Sequence, residues 1–202
     1  MKKIYGLWAG IILLVLAAGC AKAESDEVTI QKNPESDYQK TFQDLALGEL
    51  NEYEIQFPKD ADLEGEIFVE VYENGVMQEN TSSLSLDWEE KEQEGTFGVG
   101  YVTSPMEEPS MLLFSQSGTL RTQQLEETKW KELSIRGWQD AVNGDELTLK
   151  HGKEYILGAY KGTTGNETRM YDLTAEEELE EMLNEHELVL LFKIRIDENE
   201  QN

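Results

Sequence analysis

Reactive side chains are few in kind in this chain: one cysteine, two histidines and a large excess of carboxylates, 42 acids against 17 lysines and arginines. Nucleophilic catalysis has little to work with, because no Gly-x-Ser-x-Gly elbow and no Ser-x-x-Lys pair occurs. His151 and His186 are not at metal-ligand spacing, and the chain has no His-Glu-x-x-His run. His151 falls in a turn and is expected to be exposed. His186 follows a helical stripe, where a cationic side chain would favour the negative end of the helix dipole. Two carboxylates held about 5 to 9.5 Å apart in a cleft hydrolyse glycosidic bonds. Among 42 acids, however, the sequence singles out no such pair. Glu89, Glu90, Glu92 and Glu94 lie between two strand-like runs and are read as a solvated link. No catalytic, cofactor-binding or metal-ligating residue is assigned.

Two other constellations bear on binding. Asp60, Asp62 and Glu64 alternate ahead of Gly65, a pattern of oxygen donors like the opening of a calcium loop. The twelfth position from Asp60 is Val71, where a glutamate would complete the site, and the segment runs on into a strand. Calcium is therefore not expected. Trp88, Trp130 and Trp138, with Tyr101, Tyr155, Tyr160 and Tyr171, have the amphipathic rings that line sugar and peptide grooves. In a β protein the same rings more often fill the core. Trp138, after Arg136-Gly137 at a strand end, is the best placed of them for exposure, with the core still the expectation for all.

The cysteine carries the strongest signal. Lys2 and Lys3 open the chain, an apolar run extends from Ile4 to Leu16, and Ala17, Ala18 and Gly19 lead into Cys20. A charged start, an apolar centre and a small-residue exit make an export signal. The run is too short for a spanning helix, which needs about 20 apolar residues. Leu16-Ala17-Ala18-Gly19-Cys20 resembles the lipobox of bacterial lipoproteins. That resemblance covers the first tenth or so of the chain. It implies cleavage between Gly19 and Cys20 and a diacylglycerol on the Cys20 sulfur. Two acyl chains, at about 0.8 kcal/mol per buried CH₂, hold a protein stably where one holds it marginally. Cys20 is the only cysteine, so an internal disulfide is excluded.

Charge narrows the choice of partner. Removing Lys2 and Lys3 with the leader leaves 15 of the 17 basic residues against all 42 acids, a formal charge of −27. Nucleic-acid binding rests on lysine and arginine neutralising phosphates and is excluded on this ground. An anionic lipid surface likewise repels the domain within a Debye length of about 8 to 10 Å.

The elements that must position any site read mainly as β. Residues 21–40 are polar, with one proline, and read as a flexible acidic tether. In EIFVEVYENG, Ile67, Val69 and Val71 alternate with polar residues, and Asn74-Gly75 supplies a hairpin turn. LSLDW places Leu84, Leu86 and Trp88 on one face. TFGVGYV alternates Phe97, Val99 and Tyr101 with Gly98 and Gly100, and an aromatic ring is expected to pack over those glycines. Further strands are read at 111–114, 128–138 and 146–150 and in EYILGAYKG, with a loop over 162–168. Thr174 and Glu177 form a capping box for one short helix bearing Leu179, Met182, Leu183 and His186 on a stripe. In the last strand, Leu188, Leu190, Phe192, Ile194 and Ile196 share one face. Val189 and Leu191 on the other are expected to lie under that helix.

About ten strands with frequent turn signals predict a mainly β fold: an antiparallel two-sheet sandwich, with a closed barrel as the alternative, and one short C-terminal helix before the last strand. The expected organisation is a signal peptide over 1–19, a lipidated N-terminus and tether over 20–40, and a single β-rich domain over 41–202. The functional expectation is a non-enzymatic binding module on the extracytoplasmic face of the cell membrane, or of an outer membrane in a host with two. Its partners would be the membrane itself, through lipid on Cys20, and an extracellular protein or envelope polymer. A carboxylate enzyme acting on envelope polymers is the first alternative, and a solute-capture component of a transporter the second.

Overall fold

Alternating apolar residues need a second layer to bury them, and the computed structural model of the chain supplies it as two antiparallel sheets facing one another. Described are residues 27–59, 62–79, 82–86, 94–104, 107–116, 120–124, 127–142, 144 and 146–198. The leader, Gly19 and Cys20 lie outside them, as do Asp60, Trp88, Glu89, Glu90 and Glu92. Among the described residues no helix is long and apolar enough to cross a membrane.

The first sheet comprises β1 (Val28–Lys32), β2 (Gly48–Gln56), β6 (Glu94–Ser104), β7 (Glu107–Ser115), β8 (Leu120–Gln124) and β10 (Leu147–Leu149), in the order β10-β1-β2-β6-β7-β8. The second comprises β3 (Leu63–Glu73), β4 (Val76–Met77), β5 (Ser82–Leu86), β9 (Ile135–Asp140), β11 (Glu154–Thr163) and β12 (Leu188–Glu198). Its order is β4-β3-β12-β11-β9, with β5 also pairing β3. The fold is the expected sandwich, not a closed barrel. Three short helices accompany the sheets: α1 (Asp37–Asp44), α2 (Glu127–Glu132) and α3 (Glu176–Glu185).

Ile67, Val69 and Val71 of β3 and Leu188, Leu190, Phe192, Ile194 and Ile196 of β12 meet Tyr53, Ile55, Phe97 and Val99 of the first sheet in the main core. Asn74 and Gly75 turn the β3–β4 hairpin at φ +50° and +78°, the left-handed pair that a tight hairpin requires. A side-chain carbon at Gly98 would overlap the ring of Phe114 on β7, the aromatic expected there, whereas at Gly100 it would meet the β2 backbone at Glu49 and Leu50 and no ring. On the outer face of the second sheet, Val189, Leu191 and Ala159 form a second core with Met182 of α3, Tyr171 and Leu173. The helix thus covers the first half of β12, as its sequence suggested. The second half turns Lys193 and Arg195 outward into a ladder with Glu70, Glu154, Glu66 and Asp197.

Four sequence expectations are corrected. The tether does not reach residue 40. Val28 and Ile30 are buried, and β1 pairs with β10 on one side and β2 on the other, so the domain starts at Val28. Ser36 then caps α1 by accepting a hydrogen bond from the Gln39 N–H. The strand read over 128–138 is the helix α2 followed by β9, because Trp130 and Leu133 bury at helical, not alternating, spacing. The loop read over 162–168 begins later, since β11 runs on through Gly162 and Thr163. Finally, Thr174 does not cap α3. Its hydroxyl donates to Asp172, Ala175 holds the N-cap position, and three glutamates in the first turn answer the helix dipole instead.

Candidate functional site

Strand alternation aims Glu49, Asn51, Tyr53 and Ile55 of β2 between the sheets. Tyr53 and Ile55 do what an inward position normally requires. Glu49 and Asn51 put a carboxylate and an amide where the core should be. Their lateral neighbours are set by register: Tyr101 beside Glu49, Val99 beside Asn51, and Lys32 and Phe97 flanking Tyr53. Across the gap lie β11 and the edge strand β9, with Trp138 paired to Tyr160 and Asp140 to Gly158. The result is a polar cluster between the sheets, where edge strand β9 and its neighbour β11 pack against strands β1, β2 and β6.

Of its charged groups Lys32 and Asp140 pair with each other, while Arg136 is exposed. Lys32 Nζ is 2.6 Å from Asp140 Oδ1, and Trp138 Nε1–H donates to the same oxygen at 2.6 Å. Arg136 donates to the Trp130 carbonyl at 3.1 Å and lies 5.2 Å over the Trp130 ring. Glu49 has neither an ion pair nor a hydrogen bond among the described residues. Burial, and then the nearby Asp140 carboxylate, push its carboxyl above the usual range, with Lys32 opposing them.

An aromatic wall closes the inner side. Trp130 from α2 stacks on Tyr160 at 5.0 Å with the ring planes 6° apart. Tyr101 tilts against both, with centroids at 5.4 and 4.3 Å. Burial holds the phenols of Tyr160 and Tyr101 un-ionised far into alkaline pH. The Asn51 amide in this region is buried with neither its oxygen nor its nitrogen hydrogen-bonded, whereas the buried Tyr160 hydroxyl has the Tyr101 hydroxyl as its neighbour. Asn51 is 1 % exposed and Tyr160 0 %. Buried polar atoms normally find partners, and leaving one unpaired costs about 1–3 kcal/mol.

A second polar cluster, on the outer face of the second sheet, shows what satisfied burial looks like. Lys161, buried on β11, donates to the Gln139 side chain at 2.7 Å and to the Arg169 carbonyl, and its ammonium sits 4.4 Å from the Tyr171 ring centre. Burial, then Arg169, lower its pKa to about 8. Gln139 donates to the Tyr171 carbonyl and accepts from the Tyr171 N–H, and the Tyr171 hydroxyl donates to Glu185 at 2.5 Å. These bonds strap residues 168–174 onto the sheet beside α3. Every polar group named in this strap has a partner.

The aromatic residues singled out in the sequence divide accordingly. Tyr101, Trp130 and Tyr160 pack together in the polar cluster, with Trp138 beside Tyr160 on the next strand. Tyr155 packs at the rim of the main core, its hydroxyl accepting from the Lys150 N–H, and Tyr171 belongs to the strap. Trp138 is half-buried against Phe192 at 5.2 Å, not free at the surface. His151 is exposed in its turn and accepts a hydrogen bond from the Glu198 N–H. His186 is not the cationic dipole partner expected of it. It is buried, its Nδ1–H donates to the Met182 carbonyl, and Nε2 faces the Thr168 hydroxyl, while burial lowers its pKa. Of the calcium-like run, Glu64 and Gly65 lie in β3, paired to Asp197 and Ile196. Glu94 heads β6 and accepts from Gln56 at 3.4 Å.

Glu49 and Asn51 escaped the sequence reading because β2 itself did. The available signal was GELNEYEIQ, in which Tyr53 and Ile55 set an inward register that continues through Asn51 to Glu49. Compared with protein-family models, with curated proteins and with solved structures, the chain matches none.

Proposed function

We propose that the chain is a lipoprotein held by lipid on Cys20 at the extracytoplasmic face of a membrane, where its sandwich acts as a non-enzymatic binding module. Anchoring is supported by the Leu16–Cys20 lipobox, the short apolar run before it and the absence of any other cysteine. Binding is supported by one observation above all: the Asn51 amide is buried with neither its oxygen nor its nitrogen hydrogen-bonded, just inside the half-exposed Glu49 and Tyr101. Unpaired polar burial costs stability, and natural folds retain such costs chiefly where a partner repays them.

The test uses whole cells producing the chain and a fluorescent preparation of their own envelope polymer. Wild-type cells retain the label. Cys20→Ala releases the protein to the medium or periplasm and abolishes retention. Asn51→Leu remains displayed and retains little. A Cys20→Ala protein that stays with the membrane overturns the anchor. Full retention by displayed Asn51→Leu overturns the site.

A second reading, glycosidic hydrolysis, is favoured by a single observation. Burial and Asp140 raise the Glu49 carboxyl, while Asp140 itself is paired with Lys32. That is the divided environment of an acid and its companion carboxylate. Reducing ends released from the polymer by wild type and not by Glu49→Gln would replace the first reading with this one.

A further inference from the structure

We propose that residues 168–174 and α3 form a cover that acid releases from the outer face of the second sheet, with His186 as its trigger. The cover has little apolar hold. Met182 is the buried residue of α3, and with Tyr171 and Leu173 it caps a small strip of Ala159, Val189 and Leu191. Elements held by so few apolar contacts open locally at less cost than the whole fold. The other ties are polar and gather on the Tyr171 ring. The Lys161 ammonium of β11 lies 4.4 Å from the ring centre, and the Arg169 guanidinium 4.5 Å from it. His186 meets the same ring in a T-shaped contact at 5.7 Å.

His186 joins the helix to the strap. It is 3 % exposed, with Nδ1 on the Met182 carbonyl and Nε2 at 3.2 Å from the Thr168 hydroxyl. A proton on Nε2 breaks neither bond, because the hydroxyl accepts as readily as it donates. What it adds is a third cation around one ring, in a site where charge is poorly solvated. Lys161 opposes that charge, while Glu185 and Glu187, beside His186 in the chain, favour it. Arg169 pairs with Glu181 and Glu185. Glu185 accepts from the Tyr171 hydroxyl and Glu187 from Thr164, and these bonds hold both carboxyls below their usual range. Both therefore stay ionised from pH 7 to pH 5, and His186 is the group at this end of the cover that takes up a proton. Opening hands His186 to water, where it titrates at about 6.5. Acid then pulls the equilibrium toward the open form, which binds the proton more tightly, and bares Ala159, Val189 and Leu191.

The experiment is hydrogen–deuterium exchange of the full chain in detergent, read as protection factors so that the pH dependence of the exchange chemistry drops out. Protection over the strap and α3 is expected to fall severalfold between pH 7 and pH 5, while β3 keeps its own. Linkage to a histidine of ordinary pKa sets a ceiling of about 25-fold on that ratio. His186→Asn, which keeps a donor for the Met182 carbonyl, should show the same protection at both pH values. Lys161→Met takes one cation from the ring and should shrink the ratio, whatever it does to the absolute level. Equal protection of the cover at the two pH values in the wild type, or an undiminished ratio in either variant, overturns the proposal. Loss of protection in β3 in step with the cover also overturns it, because the whole fold is then opening and not the cover.

Discussion

Glu49 is the residue whose chemistry and stability pull in opposite directions. Its carboxyl titrates higher in the folded chain than in the unfolded one, because burial and Asp140 disfavour the charge. Between those two pKa values the folded state binds more protons, so stability falls as pH rises through that window and stays lower at neutral pH. Glu49→Gln is therefore expected to raise the melting temperature at pH 7, with the gain vanishing below about pH 4, where both states are protonated. Thermal scans at the two pH values check it, and no gain at pH 7 would count against a destabilised carboxyl. His186 works the other way. Its folded pKa is depressed by burial, opposed by its bond to Met182 and by Glu185 and Glu187 and reinforced by Lys161. The unfolded chain takes up the proton first as pH falls, so the His186 contribution is complete above about pH 6.5 and is lost on acidification below it. The wild type should lose more melting temperature between pH 7 and pH 5 than His186→Asn, which keeps a donor for the Met182 carbonyl. Neither role was legible beforehand. Burial sets both shifts, and burial at these positions is decided by residues distant in sequence.

At the level of elements, Gly98 and Phe114 offer the sharpest test. The ring lies over the glycine on the outer face of the first sheet, and Tyr38 of α1 meets its edge at 5.7 Å. Gly98→Ala should destabilise by about 1–3 kcal/mol through overpacking. The penalty should shrink in a Phe114→Leu background, read by urea unfolding of the four proteins in a double-mutant cycle. That an aromatic covers this strand could be read from the glycine pair, because close approach is the one thing glycines in a strand offer. Strands with clean alternation, such as β3 and β12, and the apolar far side of Val189 and Leu191, were equally readable. Elements whose buried residues are sparse were not. Among the described residues α2 buries Trp130, with Leu133 just past its end, β1 carries the short run VTI in a polar stretch, and β2 hides its register because its inward face carries Glu49 and Asn51. The same polar pair that makes the candidate site is what blurred the strand beneath it.

Over the whole molecule, charge of one sign dominates. Forty-two acids against 17 bases repel one another in the folded state more closely than in the extended chain. The ion-pair ladder of Lys193 and Arg195 opposes this locally, but Arg195 and Glu154 are more than a third exposed, and such pairs contribute little. Raising salt from a few millimolar to about 0.15 M shortens the Debye length to roughly 8 Å, and the melting temperature is expected to rise. A flat or falling curve would show that the ladder outweighs the net repulsion.

The early start of the domain has a mechanical corollary. If Cys20 carries the proposed lipid anchor, only residues 21–27 separate that anchor from β1, and seven residues span at most about 25 Å. Traction from a captured polymer would travel down that short leash and load β1 along its own axis. β1 is bonded on both flanks, to β10 and β2, and its far end is pinned to the opposite sheet through Lys32 and Asp140. Pulling in that direction strains its hydrogen bonds together in shear rather than peeling them one at a time, so the join between leash and domain is built to resist tension.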